Sequence, residues 1–424
     1  MKEKFVTIEG TSEFIEYTSE YGRRVKERFP GFNAIFNKWQ HEDLVPQLSD
    51  IDSRIICDDS NISGWMTLDK AIGEIHLEMV CERPDWSRMS EHNPGIALSV
   101  DELCDESVYV TDMRQWSFYY GDKAVNQMMN DYLANKPWSI ADEFFHLSKF
   151  VYYYAPYDHD IDPAINIQED KIMDYALHSR IMHYFIPALM CAVSIIDKKT
   201  YCGKLEMLRR CIELYPDEAI LDKVMNMIQK EYNVPESTDI DKRDLFEKEC
   251  FDFLGKILNE KVLCCIESVE AQYRDSVEGL KQAVSKRQAS PLMIISDTVR
   301  FARTRAGRYY FYLNAPDFFD TALLLNRHET HWLKTLFTAK PFQAYGQLKW
   351  QDENFDAKHI LDRIEGDIIT VQEKRVAEEI FDIAWNQFAN KNTDIRKVFS
   401  RAHDIFRDYY IVLDKIFEDA KNLA

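Results

Sequence analysis

The chain has 424 residues, 46% hydrophobic and 29% charged, a balance that excludes a wholly disordered or collagen-like polymer. Asp and Glu number 72 against 52 Lys and Arg, a formal net charge of -20, which argues against nucleic acid or an anionic membrane as the main partner because both carry the same sign. A nucleotide site stays open, since Mg²⁺ bridges carboxylates to phosphates, and the scarcity of Gly and Pro, 13 each, favours helices over a turn-rich all-β chain.

In chain order, residues 1–140 alternate helical patterns with short β-prone runs. The runs are Ala34-Ile35-Phe36, Arg54-Ile55-Ile56-Cys57, Ile96-Ala97-Leu98-Ser99 and Ser107-Val108-Tyr109-Val110. Between the second and third, Leu68, Ala71, Ile72, Ile75 and Met79 fall at helical spacing, with Asp69 expected in the first turn. Residues 141–290 turn helical: Ile172, Tyr175, Ala176 and Ser179 begin one stripe, and the uncharged run Tyr184 to Ile196, containing Pro187, reads as a buried helix too short to span a bilayer. Val234 to Asp239 reads as a polar linker, and residues 291–424 are again mostly helical, with breaks near Pro316 and Pro341. No fixed-period repeat is present. The expected class is α+β: a small mixed-sheet N-terminal domain followed by a mostly α-helical C-terminal region, with domains at 1–140, 141–290 and 291–424.

The nine cysteines are odd in number and form no C-x-x-C, and the first residues carry no apolar leader. Both features predict a cytoplasmic, reducing setting.

The sharpest local signal is Leu48-Ser49-Asp50-Ile51-Asp52 running into Ser53-Arg54-Ile55-Ile56-Cys57. In extended chain, residues two apart face the same way, so Asp50 and Asp52 project together with Ile51 buried behind them. Two such carboxylates can hold Mg²⁺ against phosphate oxygens. The chain supplies its own controls, because Asp-Ile-Asp also occurs at 160–162 and 239–241. The former runs into Pro163 after Tyr157-Asp158-His159, and the latter into Lys242-Arg243-Asp244. Only the first copy leads into an apolar β-prone run.

This segment resembles the metal-binding segment of the nucleotidyltransferase superfamily of polymerase-β type. A second resemblance joins it: Tyr184 to Ile196, then Tyr201-Cys202-Gly203-Lys204, then Leu205 and Leu208, is similar to the helical half of small-molecule nucleotidyltransferases. The resemblance implies Mg²⁺-dependent transfer of a nucleoside monophosphate from an NTP to a small-molecule acceptor. It implies Asp50 and Asp52 as metal ligands, with Asp50, Asp52 and a third acid catalytic, and Ser49, Lys38 and Lys204 on the nucleotide. The Gly-Ser pair expected about ten residues before the acids is replaced by Asn37-Lys38-Trp39-Gln40. Either Lys38 and Gln40 take over its phosphate contacts, or the chain is a catalytically inactive scaffold that binds or regulates. For the third acid Glu91 comes first, 39 residues after Asp52, with Asp112 second and Glu78 third. Lys204 also reads as an exposed turn residue at a helix start.

Other constellations have plainer readings. Arg300, Arg303, Arg305 and Arg308 form a basic cluster, with Lys281, Lys286 and Arg287 upstream; it suits either a phosphate or pairing with the abundant acids, and the pairing is favoured. His328 and His331 are spaced H-x-x-H and lack a third ligand for zinc. Asp158, His159, Asp160 and Asp162 lack the Gly and distal Glu of a calcium loop. Arg396 and His403 match a loose ribonuclease spacing, against which the net charge of -20 speaks. Tyr152 to Tyr154 and Tyr309 to Tyr312 read as helix or strand faces.

Overall fold

The computed structural model describes residues 11–423 apart from 45–48, 59–60, 88, 91–94, 107–108, 155–180, 229–239, 287–289, 318–320, 322–324, 326–328, 352–355 and 389–393. Glu91, His328, the Asp158–Asp162 group, the stripe begun by Ile172, Tyr175, Ala176 and Ser179, Leu48, Arg287 and the Val234–Asp239 linker fall outside the described residues.

The chain opens with α1 (Thr11–Arg28). Phe14, Tyr17, Tyr21 and Val25 form its buried stripe at helical spacing. Strand β1 (Phe32–Asn37) follows, then β2 (Ser53–Cys57), antiparallel to it with Asn37 opposite Ser53. The parallel pairing of β2 with β3 (Ile96–Ser99) needs a crossover, supplied by α2 (Ile62–Glu82). Strand β4 (Ser117–Gly121) adds to the far side of β1, giving the sheet order β3-β2-β1-β4. Alternate residues serve opposite faces. Phe32, Ile35, Ile55 and Cys57 pack toward α1 and α2, while Ala34, Phe36, Ile56 and Leu98 pack against Met113, Trp116, Val125 and Met129.

Three of the four expected β-prone runs are strands. The fourth is not: Tyr109 and Val110 carry no strand and lead into a 3-10 turn at Thr111–Gln115, and the fourth strand is Ser117–Gly121. The Tyr109 hydroxyl is instead bonded to Asp142 at 3.1 Å.

Beyond the sheet the described chain is mainly helical. Helices α3 (Lys123–Ala134) and α4 (Ile140–Tyr154) lead to α5 (Ile186–Asp197), α6 (Lys204–Leu214), α7 (Ala219–Asn226), α8 (Ile240–Ile257) and α9 (Val277–Lys286). The apolar run expected as a buried helix is α5 with the π-turn before it, and Ile186 through Ile195 are all buried. Then come α10 (Pro291–Ala302), α11 (Arg305–Asn314), α12 (Lys340–Trp350), α13 (Ala357–Ile364), α14 (Val371–Asp382) and α15 (Ile395–Leu423). Among the described residues, no helix is long and apolar enough to cross a membrane.

Two large hydrophobic cores organise these helices. One, from Leu147 to Ala283, belongs to the middle segment. The other is shared between the N-terminal module and α10 to α15 and joins residues as distant as Phe14 and Phe417. The seam is tightest where α2 crosses α11: a Cβ on Gly307 would lie 2.1 Å from the Asp69 carbonyl oxygen, and one on Gly73 2.6 Å from the Gly307 oxygen. Asp69 does not serve its own helix start, because α2 begins at Ile62. It is buried, and its carboxylate accepts the Gly307 N–H at 2.6 Å and the Arg407 Nε–H at 2.9 Å. It thus caps the positive end of α11 from another helix.

Candidate active site

The sheet register builds the site. Asn37 faces Ser53 on one side and Ser117 on the other, so the next residues outward, Lys38, Asp52 and Trp116, leave one edge of the sheet together. Asp50 and Asp52 precede β2 rather than lying within it. The Ser53 N–H donates to the Ile51 oxygen at 3.1 Å, a tight turn centred on Asp52. Ile51 is fully buried, as its spacing predicts, while Asp50 and Asp52 are part-exposed and Ser49 is half-buried beside them.

Burial and the neighbouring charge of Asp50 raise the Asp52 carboxyl above its ordinary value, opposed by Arg54, Lys38 and Arg308. Arg54 also donates to the Asp52 carbonyl oxygen. Lys204 opens α6 and is 6% exposed, so it is a buried residue rather than an exposed turn. Burial lowers its ammonium pKa against the pull of Asp43, Asp50 and Asp52. Its Nζ sits 4.6 Å from the Trp39 ring centre, with Lys38 Nζ 5.2 Å from the same ring. Trp39 packs against both large cores.

Asp112 is the hub of the adjoining wall. Its carboxylate meets Lys149 Nζ at 3.1 Å, Arg54 Nη2 at 3.2 Å, Lys38 Nζ at 3.7 Å and the Trp116 indole N–H at 3.0 Å. Burial alone would raise its pKa; Lys149, Lys38 and Arg54 outweigh that and hold it well below the carboxylate range. Lys38 is half-buried, and loss of solvent together with the neighbouring Lys149 charge pushes its ammonium down to about 8. Asp43 closes the far wall. Its Oδ1 accepts the Leu205 N–H at 3.1 Å, its Oδ2 has no hydrogen-bond partner, and burial raises its pKa.

Asp50, Asp52, Ser49, Lys38 and Lys204 therefore gather around one sheet edge. The span holding Glu91 has described flanks bonded to the same segment: the Ile51 N–H donates to Met89 O at 3.2 Å, and the Gly95 N–H to Ser53 O at 3.1 Å. Glu78 is elsewhere, paired with Arg24 and Arg28 on the outer side of α2. Sequence reasoning missed Asp43, Arg54 and Lys149. Arg54 had a usable signal, since a cation two residues after Asp52 in a strand returns to the same side. Asp43, in His41-Glu42-Asp43, looks like any surface acid.

The arginine cluster is internal. Arg303 pairs with Glu102 at 2.5 Å, Arg305 with Glu329 at 2.7 Å and Arg308 with the same carboxylate at 3.0 Å. Arg396 donates to the Leu313 oxygen at the end of α11 at 2.5 Å, and His403 contacts Asp404 at 3.5 Å.

The two acids are a donor set suited to Mg²⁺, which is held by one or two carboxylates plus substrate phosphates. A divalent ion held between them would relieve the repulsion that Asp50 exerts on Asp52. No third Asp, Glu, His or Cys joins them in a metal-holding group among the described residues. Compared with known protein families, curated proteins and solved structures, the chain matches none.

Proposed function

We propose that the protein is a Mg²⁺-dependent nucleotidyltransferase that moves a nucleoside monophosphate from an NTP to a small-molecule acceptor, on a nucleotidyltransferase-like N-terminal module. One observation carries the reading. Asp50 and Asp52, and Lys204 some 150 residues later, come from separate segments and separate resemblances, yet the charges of both acids reach the buried Lys204 ammonium. A half-buried pair of acids and a buried ammonium without an ion-pair partner among the described residues together suit a metal-bound polyphosphate.

Asp50 and Asp52 would hold the Mg²⁺, which when bound neutralises charge on the phosphate oxygens. Lys204 and Lys38, both beside the Trp39 ring, would hold the phosphates, with Lys38 in the place of the missing Gly-Ser turn and Ser49 at the nucleotide. In the transfer the acceptor oxygen bonds to the α-phosphorus, the bond to the β-phosphate oxygen breaks, and pyrophosphate leaves. Glu91 takes the acceptor's proton as base. The helical region forms the acceptor pocket. All nine cysteines are free thiols, which supports a reducing, cytoplasmic setting.

The test is thermal stability with each MgNTP in turn. A ligand at 100 times its Kd adds about 2.7 kcal/mol, and Asp50→Asn should erase that gain. The second reading, an inactive scaffold, draws on the Lys38-Trp39 pair that replaces the Gly-Ser turn. It predicts no shift with any NTP.

A further inference from the structure

The wall around Asp112 gathers more hydrogen-bond donors than its one carboxylate can answer. Two ammonium groups share Oδ1, Lys149 Nζ at 3.1 Å and Lys38 Nζ at 3.7 Å. Oδ2 takes Arg54 Nη2 at 3.2 Å and the Trp116 indole N–H at 3.0 Å. An ammonium carries three donors and a guanidinium five, so two oxygens leave most of them unused. Arg54 gives one more to the Asp52 carbonyl oxygen, and its buried Nε has no hydrogen-bond partner. Asp52 and Asp297 act on the cluster from farther away, and among the described residues neither forms an ion pair with it; Asp297 contacts Arg300 at 3.9 Å. His146 adds no charge at neutral pH, because burial pushes its pKa down to about 3. The cluster still reaches solvent: Lys149 keeps 28% of its side-chain surface, Asp112 19% and Lys38 13%. Three cations drawn from the end of β1, from β2 and from α4 thus crowd one carboxylate within reach of a dissolved anion.

We propose that the Asp112 wall is an anion site that needs no metal, that it takes the terminal phosphates of a polyphosphate, and that Asp112 is the internal counter-ion with which those phosphates compete. A terminal phosphate offers three acceptor oxygens to the Arg54 fork and to the two point charges of Lys38 and Lys149. The wall adjoins the acid pair, because Arg54 bonds both Asp112 and the Asp52 backbone. This rests on the polyphosphate reading above and extends it: Asp50 and Asp52 serve the metal-bound phosphates, and Arg54 and Lys149 join Lys38 on the tail.

The test is calorimetric titration of inorganic tripolyphosphate into the wild type, Asp112→Asn and Lys149→Met, in buffer stripped of divalent ions by chelating resin. Sulfate at matched ionic strength is the control. One tripolyphosphate per chain is expected. Lys149→Met should weaken it by about tenfold through the loss of one charged contact, and Asp112→Asn should tighten it by about tenfold by removing the competing carboxylate. An Asp112→Asn protein that folds and binds no tighter overturns the counter-ion role. Sulfate binding as tight as tripolyphosphate reduces the wall to general screening and overturns the site. No metal-free binding overturns it too, while MgNTP binding by the same sample would leave the nucleotidyltransferase reading standing. Metal-free binding without any MgNTP binding would do the reverse. Should Asp112→Asn fail to fold, the wild type and Lys149→Met decide, and equal affinity in those two contradicts the proposal.

Discussion

The Asp43 carboxylate accepts the backbone N–H of Leu205 at 3.1 Å, so an acid on the loop after β1 caps a helix of the middle segment. A helix N-terminus leaves its first N–H groups without partners, and a carboxylate there answers both the hydrogen bond and the dipole. The same contact fixes Lys204, one residue earlier, opposite Asp50 and Asp52. Asp43→Ala should lower stability by about 1–2 kcal/mol and weaken nucleotide binding, whereas Asp43→Asn, which keeps an accepting oxygen, should retain most of both. Urea unfolding and nucleotide titration of the two variants measure this. Equal losses in both would show that the cap is not what positions Lys204.

Asp112 is bound by three cations in a largely buried wall. Asp112→Asn leaves Lys38, Arg54 and Lys149 without their shared carboxylate, and removing one partner of a buried charge cluster costs about 3 kcal/mol or more. Chemical denaturation should show that loss. A variant as stable as the wild type would mean that the cations are solvated and the wall is open.

The crossing of α2 and α11 depends on two glycines. Gly307→Ala places a methyl 2.1 Å from a backbone oxygen, so the helices must separate. A loss of about 3 kcal/mol is expected, and Gly73→Ala should act on the same seam with less than additive effect. Thermal melts of the single and double variants test this; full additivity would contradict a shared contact.

Acid lability has an identifiable source. His76 is buried, its Nδ1 lies 2.7 Å from the Ile72 oxygen, and burial pushes its pKa from 6.5 down to about 4. The unfolded state therefore binds the proton first. The stability that His76 contributes is complete above pH 6.5 and is lost as pH falls toward 4, on the order of 3 kcal/mol. His146, pushed down to about 3 by burial, adds in the same direction. His76→Phe should flatten the stability profile between pH 6.5 and 4, measured by denaturation at each pH. An unchanged slope would place the acid sensitivity elsewhere.

The legible part of the fold was the part written in local pattern. The runs at Ala34, Arg54 and Ile96 are apolar and β-branched, and α5 is apolar throughout, so periodicity suffices for them. Strand β4, Ser-Phe-Tyr-Tyr-Gly, has no aliphatic residue and draws its stability from pairing with β1, which no local window records. The shared core of the first and last segments is invisible for the same reason: nothing near Gly307 announces that Gly73 will meet it. In the site, Asp50 and Asp52 stood out because a β-prone run follows them. Lys204 was suggested only by its resemblance, because its burial arises from Trp39 and Asp43, both distant in sequence. Asp112 read as the second choice for the third acid, and no local window shows that three cations from separate elements meet it.

The most direct test of the account is calorimetric titration of each MgNTP into the wild type, Asp52→Asn and Lys204→Met. The account predicts that at least one NTP binds the wild type and that both substitutions weaken it by tenfold or more, on the scale of charged contacts to phosphate. Binding that survives both substitutions, or no binding by any NTP, would contradict the claim that these residues form one polyphosphate site.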